Sequence, residues 1–130
     1  HYCRRWISIA LLNDLPKLQA EQGGATSVGV QLSRYHETED TYLCLTIARP
    51  AYPSPEKNVS VTLGILVDDA ARSKIRFLDD PAISRRVVNK TCERCSIMDC
   101  KERVAPPKVI DNREKRRKIE QALQQLVDEQ

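Results

Sequence analysis

The chain has 130 residues, 41% of them hydrophobic and 30% charged, with a mean hydropathy of -0.49. That predicts one globular domain of the common size, about 100–150 residues. It excludes collagen-like and wholly disordered classes, and no apolar run nears the roughly 20 residues that span a bilayer. Lys and Arg number 21 against 18 for Asp and Glu, too mild a surplus for a domain that grips nucleic acid over its whole surface. His1 in the place of a Met predicts a fragment, with any DNA-binding module upstream of it.

Arg5 to Asn13 predicts a short helix, with Trp6, Ile9, Ala10 and Leu12 or Asn13 near helical spacing and Pro16 ending it or opening the next turn. Leu18 to Ala25, with Gly23-Gly24, reads as a turn. Thr26 to Arg34 alternates apolar and polar residues. An acidic tip, Glu37 to Asp40, separates it from Thr41 to Ala48, a stretch apolar enough for both faces to be covered. Pro50, Pro53 and Pro55 mark a loop. Asn58 to Val67 alternates again, with Val59, Val61, Leu63 and Ile65 on one face. Three such stretches predict an antiparallel meander. Asp68-Asp69 and Asp79-Asp80-Pro81 read as helix starts, where acidic side chains meet the positive end of the helix dipole. A short strand is expected around Arg86 to Lys90. Asp111 to Glu114 resembles a capping box opening a long helix to about Val127, with Ile119, Leu123 and Leu126 as its apolar seam on this domain or a twin.

Five cysteines are unusual at this length: Cys3, Cys44, Cys92, Cys95 and Cys100. The odd count argues against a secreted disulfide framework. The crowding of Cys92, Cys95 and Cys100 suits a metal better than a loop staple. Thiolates are soft ligands for zinc or iron–sulfur clusters. No His or Cys follows Cys100, so a fourth ligand is remote, a small molecule or absent. Remote candidates are Cys3, Cys44, His36 and His1; Cys44, between Leu43 and Leu45, reads as a buried free thiol.

Cys3-x2-Trp6, the strand Thr41 to Arg49, and Cys92-x2-Cys95-x4-Cys100-x2-Arg103-x2-Pro106-Pro107 together resemble the C-terminal sensor domain of short-chain fatty acyl-CoA-responsive bacterial regulators. This is the PrpR and RamB group, which carries an XRE-type helix-turn-helix and an ImmA/IrrE-like middle segment upstream. The resemblance covers about residues 3–107. It implies a GAF- or PAS-like sheet domain that binds a short-chain acyl-CoA. It also implies a [4Fe–4S] cluster held by Cys3, Cys92, Cys95 and Cys100, joining the two ends of the domain. It further implies a cytoplasmic homodimer that reaches DNA only through its upstream domain and has no membrane contact.

The expected fold is α+β: an antiparallel sheet with flanking helices, a cysteine-rich element and a long C-terminal helix, divided as 1–107 and 108–130. The expected function is regulatory sensing. A structural zinc domain for protein–protein interaction and a thiol redox switch through Cys92 and Cys95 are the alternatives. Arg34, Arg49 and Lys57 are candidates to meet phosphates, and Arg103 to meet a cluster sulfur or a phosphate. Trp6 reads as a core residue and Lys115 to Lys118 as a solvated helix face. No Ser-His-Asp arrangement, P-loop, dinucleotide fingerprint or His-Glu-x-x-His is present, so no enzyme activity is expected.

Overall fold

The structure is a computed structural model that describes residues 3–129. The chain is α+β and divides into two compact units. One is Cys3–Asn89; the other, among the described residues, runs from Lys90 onward.

In the first unit a 3-10 turn, Cys3–Arg5, leads into helix α1, Trp6–Gln22. Strands β1 (Ser27–Tyr35), β2 (Thr41–Pro50) and β3 (Asn58–Leu66) follow, then helix α2 (Asp69–Lys74) and strand β4 (Ser84–Val88). The sheet order is β3-β2-β1-β4. The first three strands form the expected antiparallel meander, with Val30 opposite Leu45 and Leu45 opposite Leu63. β4 instead pairs parallel with β1, Leu32 opposite Arg85, so the sheet is mixed and not wholly antiparallel. The reason lies in the crossover. Segment 67–83 lays Ile75, Leu78 and Ile83 over Leu32 and Leu43, which returns the chain beside β1 in the same direction. Asp68 caps α2, its carboxylate accepting from the Ala71 N–H at 2.8 Å. Asp79-Asp80-Pro81 starts no helix; Asp80 accepts from the Ala82 N–H at 2.8 Å and closes a tight turn.

Helix α1 is longer than the sequence suggests. Pro16 sits inside it instead of ending it, and the expected turn begins only at Gly23, whose φ of 62° closes the helix. Interior proline costs a helix about 3 kcal/mol. Here the helix face outweighs it: Ile7 and Leu15 are buried, Leu15 completely, against the sheet. Gly29 on β1 allows this approach, because a Cβ there would stand 3.1 Å from Leu11 Cδ1.

The face that α1 covers is the polar one. Beneath it lie Gln31, Ser33, Cys44 and Thr46, all buried. Their polar groups are partnered within the sheet: Gln31 Nε2 donates to Ser33 Oγ at 2.9 Å, and Thr46 and Thr62 share a hydroxyl hydrogen bond at 2.7 Å. Ser8 bonds Ser60, and Gln19 and Asn58 exchange two amide hydrogen bonds at 2.9 and 3.1 Å. The opposite face carries Val28, Val30, Leu32, Leu43, Leu45, Ile47, Val59, Val61 and Leu63. Segment 67–83 covers only the Leu32–Leu43 end of it. Val28 is 73% exposed and Val61 65%, so β2 is covered on both faces only around Leu43 and Cys44.

In the second unit a 3-10 turn, Cys92–Arg94, precedes a loop and helix α3, Lys108–Asp128. α3 starts three residues before the expected capping box. Pro107 is its N-cap, and the Asp111 N–H already bonds the Pro107 carbonyl at 3.0 Å. Proline suits this boundary because it lacks the N–H that a helix start leaves unused. α3 buries none of its residues; Ile119, Leu123 and Leu126 are exposed, so among the described residues of its own unit the expected seam packs on nothing. Lys115 to Lys118 form a solvated face, as expected. Among the described residues no helix is long and apolar enough to cross a membrane.

Candidate functional site

Two features carry chemistry, one in each unit. The first is the open apolar face of the sheet. A shallow concavity of about 440 Å³ lies there, lined by Val28, Gly29, Val30, Leu45, Thr46 and Ile47. Its size falls within the roughly 300–1,000 Å³ of small-molecule sites, and its lining is apolar, as such sites mostly are.

The three basic residues expected to meet phosphates do not gather there. Arg49 lies on this face, opposite Val59 and two residues beyond Ile47, and donates to the Pro50 carbonyl at 3.2 Å. Arg34 lies at the far end of β1, 3.8 Å from the Glu39 carboxylate. There it lines a smaller concavity of about 220 Å³ with Leu32, Thr41, Arg85, Arg86 and Val87. Lys57 lies outside both. Arg85 was invisible to sequence reasoning because only the parallel docking of β4 brings it beside Leu32. Its guanidinium donates to the Leu78 carbonyl at 3.1 Å.

The second feature is the cysteine element. Cys92, Cys95 and Cys100 are free thiols; Cys95 is buried and the other two half-buried. The loop is organised around Arg103. Its Nη1 donates to the carbonyls of Cys92 at 2.7 Å and Ala105 at 3.1 Å, and its Nη2 to those of Cys95 at 2.9 Å and Ile97 at 2.6 Å. Arg103 thus donates to four backbone carbonyls of the loop. Its Nε is buried with no hydrogen-bond partner among the described residues, as is the Thr91 hydroxyl. The Cys95 N–H bonds the Cys92 carbonyl at 3.2 Å, closing the turn between the two thiols.

Cys3 belongs to the other unit. Its sulfur accepts from the Asn89 N–H at 3.3 Å and faces the Asn89 carbonyl at 3.6 Å. Cys44 is the buried free thiol expected, its S–H near Ser33 Oγ at 3.5 Å. The His36 N–H bonds the Val88 carbonyl at 2.9 Å, and His1 lies outside the described residues. Trp6, at the start of α1, is half-buried beneath the Arg86 guanidinium at 4.6 Å, a cation–π contact.

By donor chemistry Cys3, Cys92, Cys95 and Cys100 suit zinc or an iron–sulfur cluster, since all four are thiols outside any disulfide. Among the described residues no three or more His, Cys, Asp or Glu side chains are arranged to hold a metal ion.

Comparisons with protein-family models, with characterised proteins and with solved structures returned no match.

Proposed function

We propose that the chain is a regulatory sensor domain of a bacterial transcription regulator, and that the open sheet face takes the acyl part of a short-chain acyl-CoA. One observation carries the proposal. The sheet turns its small and polar side chains toward α1 and leaves a concavity among Val28, Val30, Leu45 and Ile47 open. Burying a short acyl chain there contributes about 0.8 kcal/mol per methylene. Arg49, two residues beyond Ile47 on the same face, would meet a phosphate of the carrier. The domain binds its effector without transforming it. DNA contact belongs to an upstream helix-turn-helix in a cytoplasmic homodimer. A thermal-shift and calorimetry series with acetyl-, propionyl- and butyryl-CoA against free CoA tests the proposal. Stabilisation that rises with acyl length and falls with salt supports it; equal effects of free and acylated CoA, or none, reject it.

The cysteine element supports a second reading, a thiol switch. Cys92 and Cys95 sit at the two ends of one backbone-closed turn. Two-electron oxidation by a peroxide would join their sulfurs as its O–O bond breaks, the two thiol protons passing to the peroxide oxygens, which leave as two waters or as one water and an alcohol. Mass spectrometry after peroxide treatment shows a Cys92–Cys95 bond if this holds, and intact thiols or other pairings if it does not.

A further inference from the structure

We propose that β3 is a docking edge for a second copy of this chain, pairing antiparallel with its own counterpart to form one continuous eight-stranded sheet.

β3 is one of the two outer strands of the sheet. Its ladder to β2 runs one residue for one residue from Pro50–Asn58 to Tyr42–Leu66, with no bulge. The Val67 N–H bonds the Thr41 carbonyl, and the Ala51 N–H bonds the Lys57 carbonyl. In an antiparallel ladder these bonds fix the parity. Odd-numbered residues of β3 turn their backbone groups to β2. Asn58, Ser60, Thr62, Gly64 and Leu66 therefore direct theirs to the outer side.

Natural edge strands are blunted by charge, proline, bulges or shortness. β3 has none of these: it is nine residues long and reads Asn-Val-Ser-Val-Thr-Leu-Gly-Ile-Leu. The other edge, β4, is protected in two ways, being five residues long and carrying Arg85 and Arg86. The contrast selects β3.

Self-complementarity selects the occupant. A two-fold register centred on Thr62 sets Thr62 against its own counterpart, Ser60 against Gly64 and Asn58 against Leu66, so every outward backbone group is matched. Those side chains are small or neutral on the α1 side. On the open face Val61 meets Leu63 of the second copy, and Val59 meets Ile65. Val61 is 65% exposed and Leu63 60%, so this pairing removes apolar surface from water. No charged residue of β3 faces its like across the pair. The inference does not depend on which ligand the sheet face takes.

The test is sedimentation equilibrium of the full 130-residue chain over a concentration series, with amide exchange read by NMR. Val61→Lys places a charge against Leu63 of the second copy, at a position already exposed. Thr62→Pro removes an outward N–H without touching the ladder to β2. The expected result is a dimer that both variants weaken about tenfold or more, with unchanged circular dichroism. Slow exchange at Ser60, Thr62 and Gly64 in the wild type completes it. A chain that is monomeric throughout overturns the proposal. So does a dimer that Val61→Lys leaves intact while the Ser60, Thr62 and Gly64 amides exchange like a loop. If Thr62→Pro fails to fold, Val61→Lys decides alone.

Discussion

Arg103 holds the cysteine loop by four carbonyls drawn from residues 92 to 105, so the loop is shaped by a guanidinium. Five donors in a rigid fork suit that task, and lysine has no such fork. Arg103→Ala is expected to cost about 2–3 kcal/mol locally and to make buried Cys95 react rapidly with a thiol reagent. Cys44, in the other unit, should react as slowly as before. Arg103→Lys should resemble Ala. Equal Cys95 labelling in wild type and both variants would show that Arg103 does not shape the loop. The sequence marks Arg103 as a candidate through its place after Cys100, but not its partners, because carbonyl positions follow from the turn. Cys44 was legible because a lone thiol in an apolar strand has few other places to be. Tyr35 offers a pH probe: burial lifts its phenol above the ordinary 10.0, with nearby Arg4 pulling the other way. Its folded pKa exceeds its unfolded one. Its contribution to stability is therefore complete below pH 10.0 and is lost as pH rises through the raised value. Melting temperature should fall over that alkaline window, and Tyr35→Phe should flatten the fall.

Among the elements, α1 lies close against β1 at Gly29. Gly29→Val puts a branched side chain where Leu11 Cδ1 would stand 3.1 Å from its Cβ. A loss of about 1–3 kcal/mol in a denaturant titration is expected; an unchanged midpoint would show that α1 shifts freely. Strand alternation was legible because period-two patterning survives any tertiary context. The reach of α1 past Pro16 was not, since burial of Leu15 decides it and burial is tertiary. The direction of β4 was hidden likewise, because it depends on where segment 67–83 crosses the sheet. α3 was legible as a helix, but its seam was not legible as exposed: amphipathic spacing shows a face and says nothing about what meets it. With Leu123 exposed, Leu123→Asp should leave melting temperature and sedimentation unchanged. A shift in either would show that α3 has a partner surface.

For the molecule, the decisive feature is which side of the sheet the helix takes. Sequence alternation separates an apolar face from a polar one and leaves open which of them a helix covers. Here α1 binds the polar side through Ser8–Ser60 and the Gln19–Asn58 pair, and the apolar side keeps only segment 67–83. Nothing in the strand pattern encodes that choice; it sits in the polar residues of α1. The cysteine spacing identified soft donors, whereas their gathering is a matter of loop geometry that spacing leaves open. On the proposed function, the open face is a binding surface for an acyl group. Its most direct test follows the methyl resonances of Val28, Val30, Leu45 and Ile47 during titration with propionyl-CoA, with free CoA as control. Saturable shifts at these methyls with propionyl-CoA only, abolished by Ile47→Asp, are the expected result. Unmoved methyls at saturating propionyl-CoA, or shifts identical with free CoA, would contradict it.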